Sequence, residues 1–254
     1  MASSFNQSIP LKGLQAFFDV SNPRCVDATQ TISATTQLQN LAPNNPDLIF
    51  DTKPGAVAGT YAGMSFVLDN GHYVYEQDAL NGADPGWSSD RTIQQPQNFT
   101  FHIWFKYTPG ATQTGENIYG GGFSGRTSFY LAPGGGSANH GVLRYSDAGS
   151  GNSYSHTANY GGNDGNWHLF SCRDYGEDGN RDTDFWLDGE FKQRVVSNSS
   201  HIIPDSRNTM TWGSWSVTYG NFGGRTNMYL MYNRTQSGKE IKQVFEATRS
   251  RFGV

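Results

Sequence analysis

The segment 166–191 constrains the fold of this chain most strongly, because two strand patterns flank an acidic, turn-rich stretch. The first run, 166–175, reads Asn-Trp-His-Leu-Phe-Ser-Cys-Arg-Asp-Tyr. In the second run, 183–191, apolar Phe185 and Leu187 alternate with side chains of the other face. A period of two indicates a half-buried strand, and the Gly, Asn and Asp residues between the runs predict a hairpin.

Two further patterns extend this β architecture. Asp188-Gly189 predicts a second tight turn, because glycine tolerates the positive φ that such turns need. The run 99–107 reads Phe-Thr-Phe-His-Ile-Trp-Phe-Lys-Tyr, and its odd-numbered positions form one wholly apolar face that must be core. We expect the other face, with His102 and Trp104, to line an outer or concave surface.

One helix is predicted, at the C-terminus. Ser237 and Glu240 have the spacing of a capping box, in which the serine accepts from a first-turn N–H and the glutamate reaches back. An apolar stripe at i, i+3, i+4 and i+7 follows, and it consists of Ile241, Val244, Phe245 and Thr248. The helix should therefore pack on the β layers.

Composition and charge narrow the class of protein. The chain has 254 residues with 31 Gly, 14% aromatic and 16% charged residues, which is typical of a turn-rich β protein of one domain. A net charge of −4 without a basic cluster excludes nucleic acid as partner. No apolar run is long enough to span a membrane, and residues 1–10 do not read as a secretory signal.

Cys25 and Cys172 are the two cysteines of the chain. They could form one disulfide, but without a secretion signal two reduced, buried thiols are the favoured interpretation.

The Gly-Asn-Trp-His strand, the acidic turn and the aromatic strand ending in Leu-Asp-Gly resemble the core of concanavalin-A-like (laminin-G-like) domains. The opening 13–23 resembles the start of such domains in tailed-phage structural proteins. The ending 232–253, with Tyr-Asn-Arg, the capping box and Ala-Thr-Arg-x-Arg-Phe-Gly, closely matches the end of phage laminin-G-like virion proteins. The resemblance implies an all-β fold, a concanavalin-A-like jelly-roll sandwich of two antiparallel sheets with a C-terminal helix. The domain would be 13–254, preceded by an N-terminal arm, 1–12.

Enzyme chemistry finds no support in the sequence. A glycoside hydrolase on this fold needs two paired carboxylates, and the Glu-x-Asp-x-x-Glu string is absent. There is no serine nucleophile elbow, no His-x-x-x-His metal spacing and no phosphate-cradling loop. We therefore predict that the protein is not an enzyme. His168 is interpreted as a sheet-face histidine hydrogen-bonded to a neighbour.

The acidic turn supplies oxygen ligands of the type that Ca²⁺ takes. The candidate ligands are Asp174, Asp178, Asn180 and Asp182. Their spacing is not that of a twelve-residue helical-hand loop, and a solvated turn without an ion is the favoured interpretation. No other cofactor is expected.

Loops 146–165 and 212–221 combine aromatic rings with amides, the combination that binds sugars. The candidate ligand-binding residues are Tyr154, Asn159, Tyr160, Trp212, Trp215 and Tyr219. In a jelly roll, loops distant in sequence gather at one end, so these two could form one edge that recognises host polysaccharide. The alternative is that the aromatics fill a Gly-rich sandwich or meet a neighbouring subunit.

Two functions compete at this point. The resemblance favours a phage virion structural protein, a decoration or accessory protein of head, collar or tail, assembled in the host cytoplasm, with host-surface glycan as its ligand. A free carbohydrate-binding, lectin-like module is the alternative. The absence of heptads and repeats argues against a trimeric tail fibre. Residues 1–12 would then dock the domain on other virion proteins.

Overall fold

The computed structural model describes residues 8–26, 37–43, 49–52, 66–67, 74–76, 98–107, 117–121, 128–132, 140–146, 153–159, 162, 164–177, 180–197, 210–212 and 224–254. The strands of these residues are, in chain order, β1 (Leu14–Asp19), β2 (Gln37–Gln39), β3 (Ile49–Thr52), β4 (Phe66–Val67), β5 (Val74–Glu76), β6 (Phe99–Tyr107), β7 (Asn117–Gly121), β8 (Ser128–Ala132), β9 (His140–Ser146), β10 (Ser153–Asn159), β11 (Trp167–Glu177), β12 (Asn180–Leu187), β13 (Glu190–Ser197), β14 (Met210–Trp212) and β15 (Gly224–Tyr232). The helix α1 spans Gly238–Thr248, and a short 3₁₀ turn, Arg249–Arg251, follows it.

The strands form two antiparallel sheets. One has the order β1-β15-β6-β11-β12-β13, with β4 paired to β15 as a seventh strand. The other has the order β10-β9-β8-β7-β14-β5-β3-β2. Strands that pair in these sheets can lie far apart in the sequence. For example, β6 pairs with β11 on one side and with β15 on the other.

The hairpin predicted from 166–191 is present, as β11 and β12. Their register runs from Phe170 opposite Leu187 to Glu177 opposite Asn180. The second tight turn is present too. Asp188 and Gly189 both have positive φ, 55° and 74°, and lead directly into β13.

Strand β6 has the predicted bounds and the predicted apolar face, which is buried from Phe99 to Tyr107. Its second face differs from the expectation of an outer or concave surface, because His102 and Trp104 are fully buried. The reason is that α1 and the residues after it lie over this face. We call it the helix face of the seven-stranded sheet.

Helix α1 begins with the predicted capping box, in which the Ser237 side chain accepts from the backbone N–H of Glu240. Its predicted stripe is confirmed, with Ile241, Val244 and Thr248 buried. The stripe completes an apolar cluster on the helix face, whose buried members are Leu14, Ala42, Trp104, Leu169, Met228, Leu230, Tyr232 and Val244. Among the described residues, no helix has the length and apolar composition needed to cross a membrane.

The described part of the predicted arm, residues 8–12, lies along the C-terminal segment. The Gln243 amide donates to the Ser8 carbonyl at 2.6 Å, and the Tyr232 hydroxyl donates to the Pro10 carbonyl at 2.9 Å. Residues 1–7 lie outside the described residues, and their docking role stays a prediction.

Both cysteines are free and buried, as predicted. Burial raises the pKa of the Cys25 thiol to about 12 and that of Cys172 well above its usual value. Each thiol therefore stays protonated and behaves as a small apolar group.

Candidate functional site

The predicted sugar-binding residues fall only partly within the described residues. Tyr154 and Asn159 belong to β10, the edge strand of the eight-stranded sheet, and Trp212 ends β14. Through the register of the intervening strands, Trp212 lies level with His156 of β10, four strands away. Four interstrand spacings amount to about 19 Å, much more than one sugar ring.

The other three predicted sugar-binding residues, Tyr160, Trp215 and Tyr219, lie outside the described residues. Whether loops 146–165 and 212–221 meet at one edge therefore stays a prediction.

The predicted ion ligands are not all brought together. Asp174 lies opposite Thr183, whose hydroxyl donates to it at 3.1 Å, whereas Asp182 lies opposite Tyr175 on the other face of the hairpin. These two carboxylates therefore cannot share an ion. Asp178 and the Asn180 side chain lie outside the description. Within the ranges that the structure describes, no three His, Cys, Asp or Glu side chains are grouped closely enough to hold a metal ion.

His168 has the predicted hydrogen bonds to neighbours, and both partners are carboxylates. Its Nδ1 lies 2.7 Å from Asp188 Oδ2 and its Nε2 lies 2.9 Å from Asp164 Oδ1. Burial works to lower the pKa of His168, but the two carboxylates outweigh burial and raise it. This group ties the residues before β11 to the Asp188-Gly189 turn, so its role is structural.

The helix face of β11, β12 and β13 carries a cluster that we call the arginine–aromatic patch. Its members are Arg173, Tyr175, Asp184, Trp186, Phe191 and Arg194. The register sets Arg173 opposite Asp184 and Asp184 opposite Arg194, in one row across three strands. A register shift between β12 and β13 places Phe191 opposite Trp186 in the next row.

Two guanidinium groups converge on one carboxylate at the centre of the patch. Arg173 donates through Nε and Nη2 to Asp184 Oδ2, at 2.8 and 2.6 Å. Arg194 donates through Nε to Oδ1 at 2.7 Å and through Nη2 to Oδ2 at 3.1 Å. The Asp184 side chain is fully buried. Burial works to raise its pKa, but the bonds from Arg194 and Arg173 outweigh burial and lower it.

Aromatic rings surround the two guanidinium groups. The Tyr175 ring centre lies 5.5 Å from Arg173 Cζ and 5.6 Å from Arg194 Cζ. The Trp186 ring lies 5.6 Å from Arg173 Cζ and meets the Phe191 ring edge-on at 5.3 Å. Phe191 is 49% exposed and the Arg194 side chain 46% exposed. The patch thus offers solvent an apolar ring and a charged donor held in place by fixed neighbours.

Sequence reasoning missed this patch. It did not single out Arg173, Tyr175, Phe191 or Arg194 as functional residues. A signal was present, since Arg173 and Tyr175 on one strand of the hairpin, and Asp184 and Trp186 on the other, each share a face at a spacing of two. Finding the partners on β13 requires the register across the second turn.

No protein-family model and no curated protein sequence matches this chain. Solved structures do match. Domain 4 of AbnA, a GH43 extracellular arabinanase from Geobacillus stearothermophilus, in complex with arabinotriose, has a TM-score of 0.61 and 14% identity, covering 91% of this chain and 97% of that one. The CBM40 of the Ruminococcus gnavus IT-sialidase, bound to α2,3 sialyllactose, has a TM-score of 0.55 and 14% identity, covering 71% of this chain and 96% of that one.

A third similar structure is the binding domain of botulinum neurotoxin DC in complex with SialylT, with a TM-score of 0.62 and 9% identity. The match covers 93% of this chain but only 52% of that one, so the chain spans about half the length of the neurotoxin domain. Together these similarities show a mostly β fold that matches concanavalin-A-like and lectin folds, as the sequence resemblance implied.

Proposed function

We propose that this chain is a non-catalytic glycan-binding domain that holds sugar against the arginine–aromatic patch. This was the alternative to a virion role in the interpretation of the sequence. The observation that carries it is an exposed ring, Phe191, on the same face of β13 as the fixed guanidinium of Arg194. The fold also supports the proposal, because structures similar to this chain include complexes with arabinotriose and sialylated glycans.

The chemistry of the patch suits a sugar. A sugar ring has a C–H surface that packs on an aromatic face, and hydroxyl groups that accept from a charged donor. Tyr175 and Phe191 supply the faces, and Arg194 supplies the donor. Asp184 fixes that donor before any ligand arrives, so little side-chain entropy is lost on binding.

The carboxyl group at the centre of the patch does not match the catalytic carboxyl groups of a glycosidase. Such an enzyme needs one carboxylic acid with a raised pKa beside a second, free carboxylate. In the patch the buried carboxylate, Asp184, has a lowered pKa and bonds to both arginines. This favours binding without catalysis.

The test is a glycan array probed with the purified chain and with the double variant Tyr175→Ala/Phe191→Ala. We expect the wild type to bind a defined set of glycans and the double variant to lose at least about tenfold in affinity, because each lost aromatic contact costs about 0.5–1.5 kcal/mol and about 1.4 kcal/mol corresponds to tenfold. Val196→Ala is the matched control, because Val196 is 60% exposed on the same strand. No binding by the wild type, or equal binding by the double variant, refutes the proposal.

The loop prediction is tested in the same array by Trp215→Ala, with and without EDTA. Loss of binding in Trp215→Ala alone would move the site from the patch to loops 146–165 and 212–221. Loss only with EDTA would assign a role to an ion.

We also propose that the two sheets stack face to face as a sandwich. The face of the seven-stranded sheet opposite the helix carries Phe101, Ile103 and Phe185, each at most 1% exposed. Side chains are removed from water so completely when a second apolar layer covers them. We take the eight-stranded sheet to be that layer.

Virion location is a second proposal, and it rests on the sequence resemblance of the opening 13–23 and, most specifically, of the ending 232–253. In the structure these residues have a packing role: Arg234 pairs with Glu240, Glu240 caps α1 with Ser237, and Phe252 stacks on Trp104. The motif therefore specifies how the helix docks and carries little information on location. Mass spectrometry of purified phage particles tests it, and absence of the chain from them refutes it.

A further inference from the structure

The donors of the patch are not equally occupied. Arg173 uses Nε and Nη2 on Asp184 and donates from Nη1 to the Gln236 carbonyl at 2.8 Å. Arg194 uses only Nε and Nη2, both on Asp184. In the described part of the chain its Nη1 has no hydrogen-bond partner, so the outward edge of this guanidinium keeps free N–H groups.

The described carboxylates around Arg194 leave its Nη1 unoccupied. Arg173 and Arg194 share the buried carboxylate of Asp184, and Arg194 is the more exposed of the two arginines. Asp182 forms a second ion pair with Arg194, at 3.8 Å from Nε, which is too long for a hydrogen bond. The nearby Lys192 is already paired with Glu190 at 3.1 Å.

The guanidinium of Arg194 is also held in one orientation. Asp184 bonds it from one edge, and the Tyr175 ring lies 5.6 Å from Cζ. A planar carboxylate matches the free edge of a fixed guanidinium, because two parallel N–H···O bonds form at once. Phe191 is the next side chain of β13 on the same face, one row away from Arg194.

We propose that the arginine–aromatic patch selects an acidic sugar, a glycan residue bearing a carboxylate. The carboxylate meets the Nη1/Nη2 edge of Arg194, and different sugar rings of the glycan lie against Tyr175 and Phe191. This inference rests on the proposed glycan-binding function and adds the ligand class and the residue that selects it.

Calorimetric titration with four probes tests the inference: sialyllactose, its neutral core lactose, an unsulfated oligosaccharide containing glucuronic acid, and a sulfated lactose. We expect at least one of the two carboxylated probes to bind about tenfold or more tightly than lactose, which corresponds to one charge-assisted bidentate contact. Arg194→Met should remove this preference, so that the carboxylated probes bind no more tightly than lactose does to the same variant. Lys192→Met is the matched control, since it removes a neighbouring charge of the same strand, and it should keep the preference.

Arg194→Met leaves Asp184 paired with Arg173, and an unchanged far-ultraviolet circular dichroism spectrum confirms that it folds. Equal binding of lactose and both carboxylated probes, or a preference that survives Arg194→Met, overturns this inference while the glycan-binding function stands. Preference for the sulfated probe alone overturns the carboxylate assignment. If the wild type binds no glycan on the array, both proposals fail.

Discussion

His102 and His168 lie on neighbouring strands, yet their pKa values move in opposite directions. His102 is fully buried on the helix face, where its Nε2 donates to Gln236 Oε1 and its Nδ1 accepts from the Ser171 hydroxyl, both at 2.7 Å. Burial lowers its pKa to about 4, against the opposing effect of the Gln236 bond. His168 has two carboxylates as partners instead, and they raise its pKa. Environment alone therefore keeps one histidine neutral and favours charge on the other.

The first prediction is that stability has a maximum near pH 6.5, the ordinary pKa of histidine. The His168 pKa is raised on folding, so its contribution is fully present below about pH 6.5 and is lost as the pH rises through its folded value. The His102 pKa is depressed, so its contribution is present above about pH 6.5 and is lost as the pH falls towards about 4. Urea unfolding from pH 4.5 to 8.5 measures both slopes.

His168→Gln separates the two histidines in this experiment. The variant should lose the decline on the alkaline side and keep the decline on the acid side. An alkaline slope identical to that of the wild type would show that His168 does not produce it.

The second prediction concerns Asp184. Asp184→Asn leaves two guanidinium groups around an uncharged amide, and we expect the free energy of unfolding to fall by about 3 kcal/mol. Glu190→Gln is the control, because its pair with Lys192 is exposed and contributes about 0.5 kcal/mol or less. Urea unfolding at pH 7 gives both values, and equal losses would contradict the central position assigned to Asp184.

At the scale of elements, the C-terminal segment is fastened to alternate residues of β6. Thr100 accepts from the Gln236 backbone N–H at 2.9 Å, and His102 bonds to the Gln236 side chain. The Trp104 indole donates to the Thr248 hydroxyl at 2.9 Å and stacks on Phe252 at 4.0 Å. Every second side chain of β6 therefore contacts the C-terminal segment, and this explains why this face of the sheet is buried.

The third prediction is that Phe252→Ala lowers the free energy of unfolding by about 2–3 kcal/mol, because it uncovers the Trp104 ring. Val254→Ala, two residues further on at an exposed position, should change it by less than about 0.5 kcal/mol. Urea unfolding followed by circular dichroism compares them. Equal small effects would mean that the residues after α1 do not cover the sheet.

The fourth prediction links α1 to the patch through Gly238. A Cβ at this position would lie 2.6 Å from Trp186 Cη2, so Gly238→Ala must displace the indole. We expect a changed near-ultraviolet circular dichroism spectrum and weaker glycan binding, although alanine favours the helix by about 0.5–1 kcal/mol.

Lys239→Ala, one residue further at an exposed position, is the control for Gly238→Ala and should leave both readouts unchanged. If Gly238→Ala binds glycan as the wild type does, Trp186 is not part of the binding surface.

At the scale of the whole molecule, the features that the sequence predicted correctly are local ones. The hairpin 166–191, the strand 99–107 and the capping box each depend on residues that are close together in the sequence. The burial of His102 depends on Gln236, 134 residues later, which no local pattern reports. The arginine–aromatic patch depends on the register of three strands, and the shift opposite Trp186 is invisible in the sequence.

The resemblance to concanavalin-A-like domains extended the prediction to the whole fold, which the similar structures support. The resemblance was less informative on function, because the residues of the motif 232–253 cap the helix and pack it on the sheet. Function belongs to side chains placed on a fold and has to be argued from them.

The measurement that tests the central claim most directly is a chemical-shift map of the chain titrated with the tightest-binding glycan of the array. The account predicts that the largest shifts fall on the backbone amides of Tyr175 and Phe191, the Trp186 indole N–H and the Arg194 Nε–H, and that they saturate together. Shifts confined to loops 146–165 and 212–221, with the patch resonances unmoved, would contradict it.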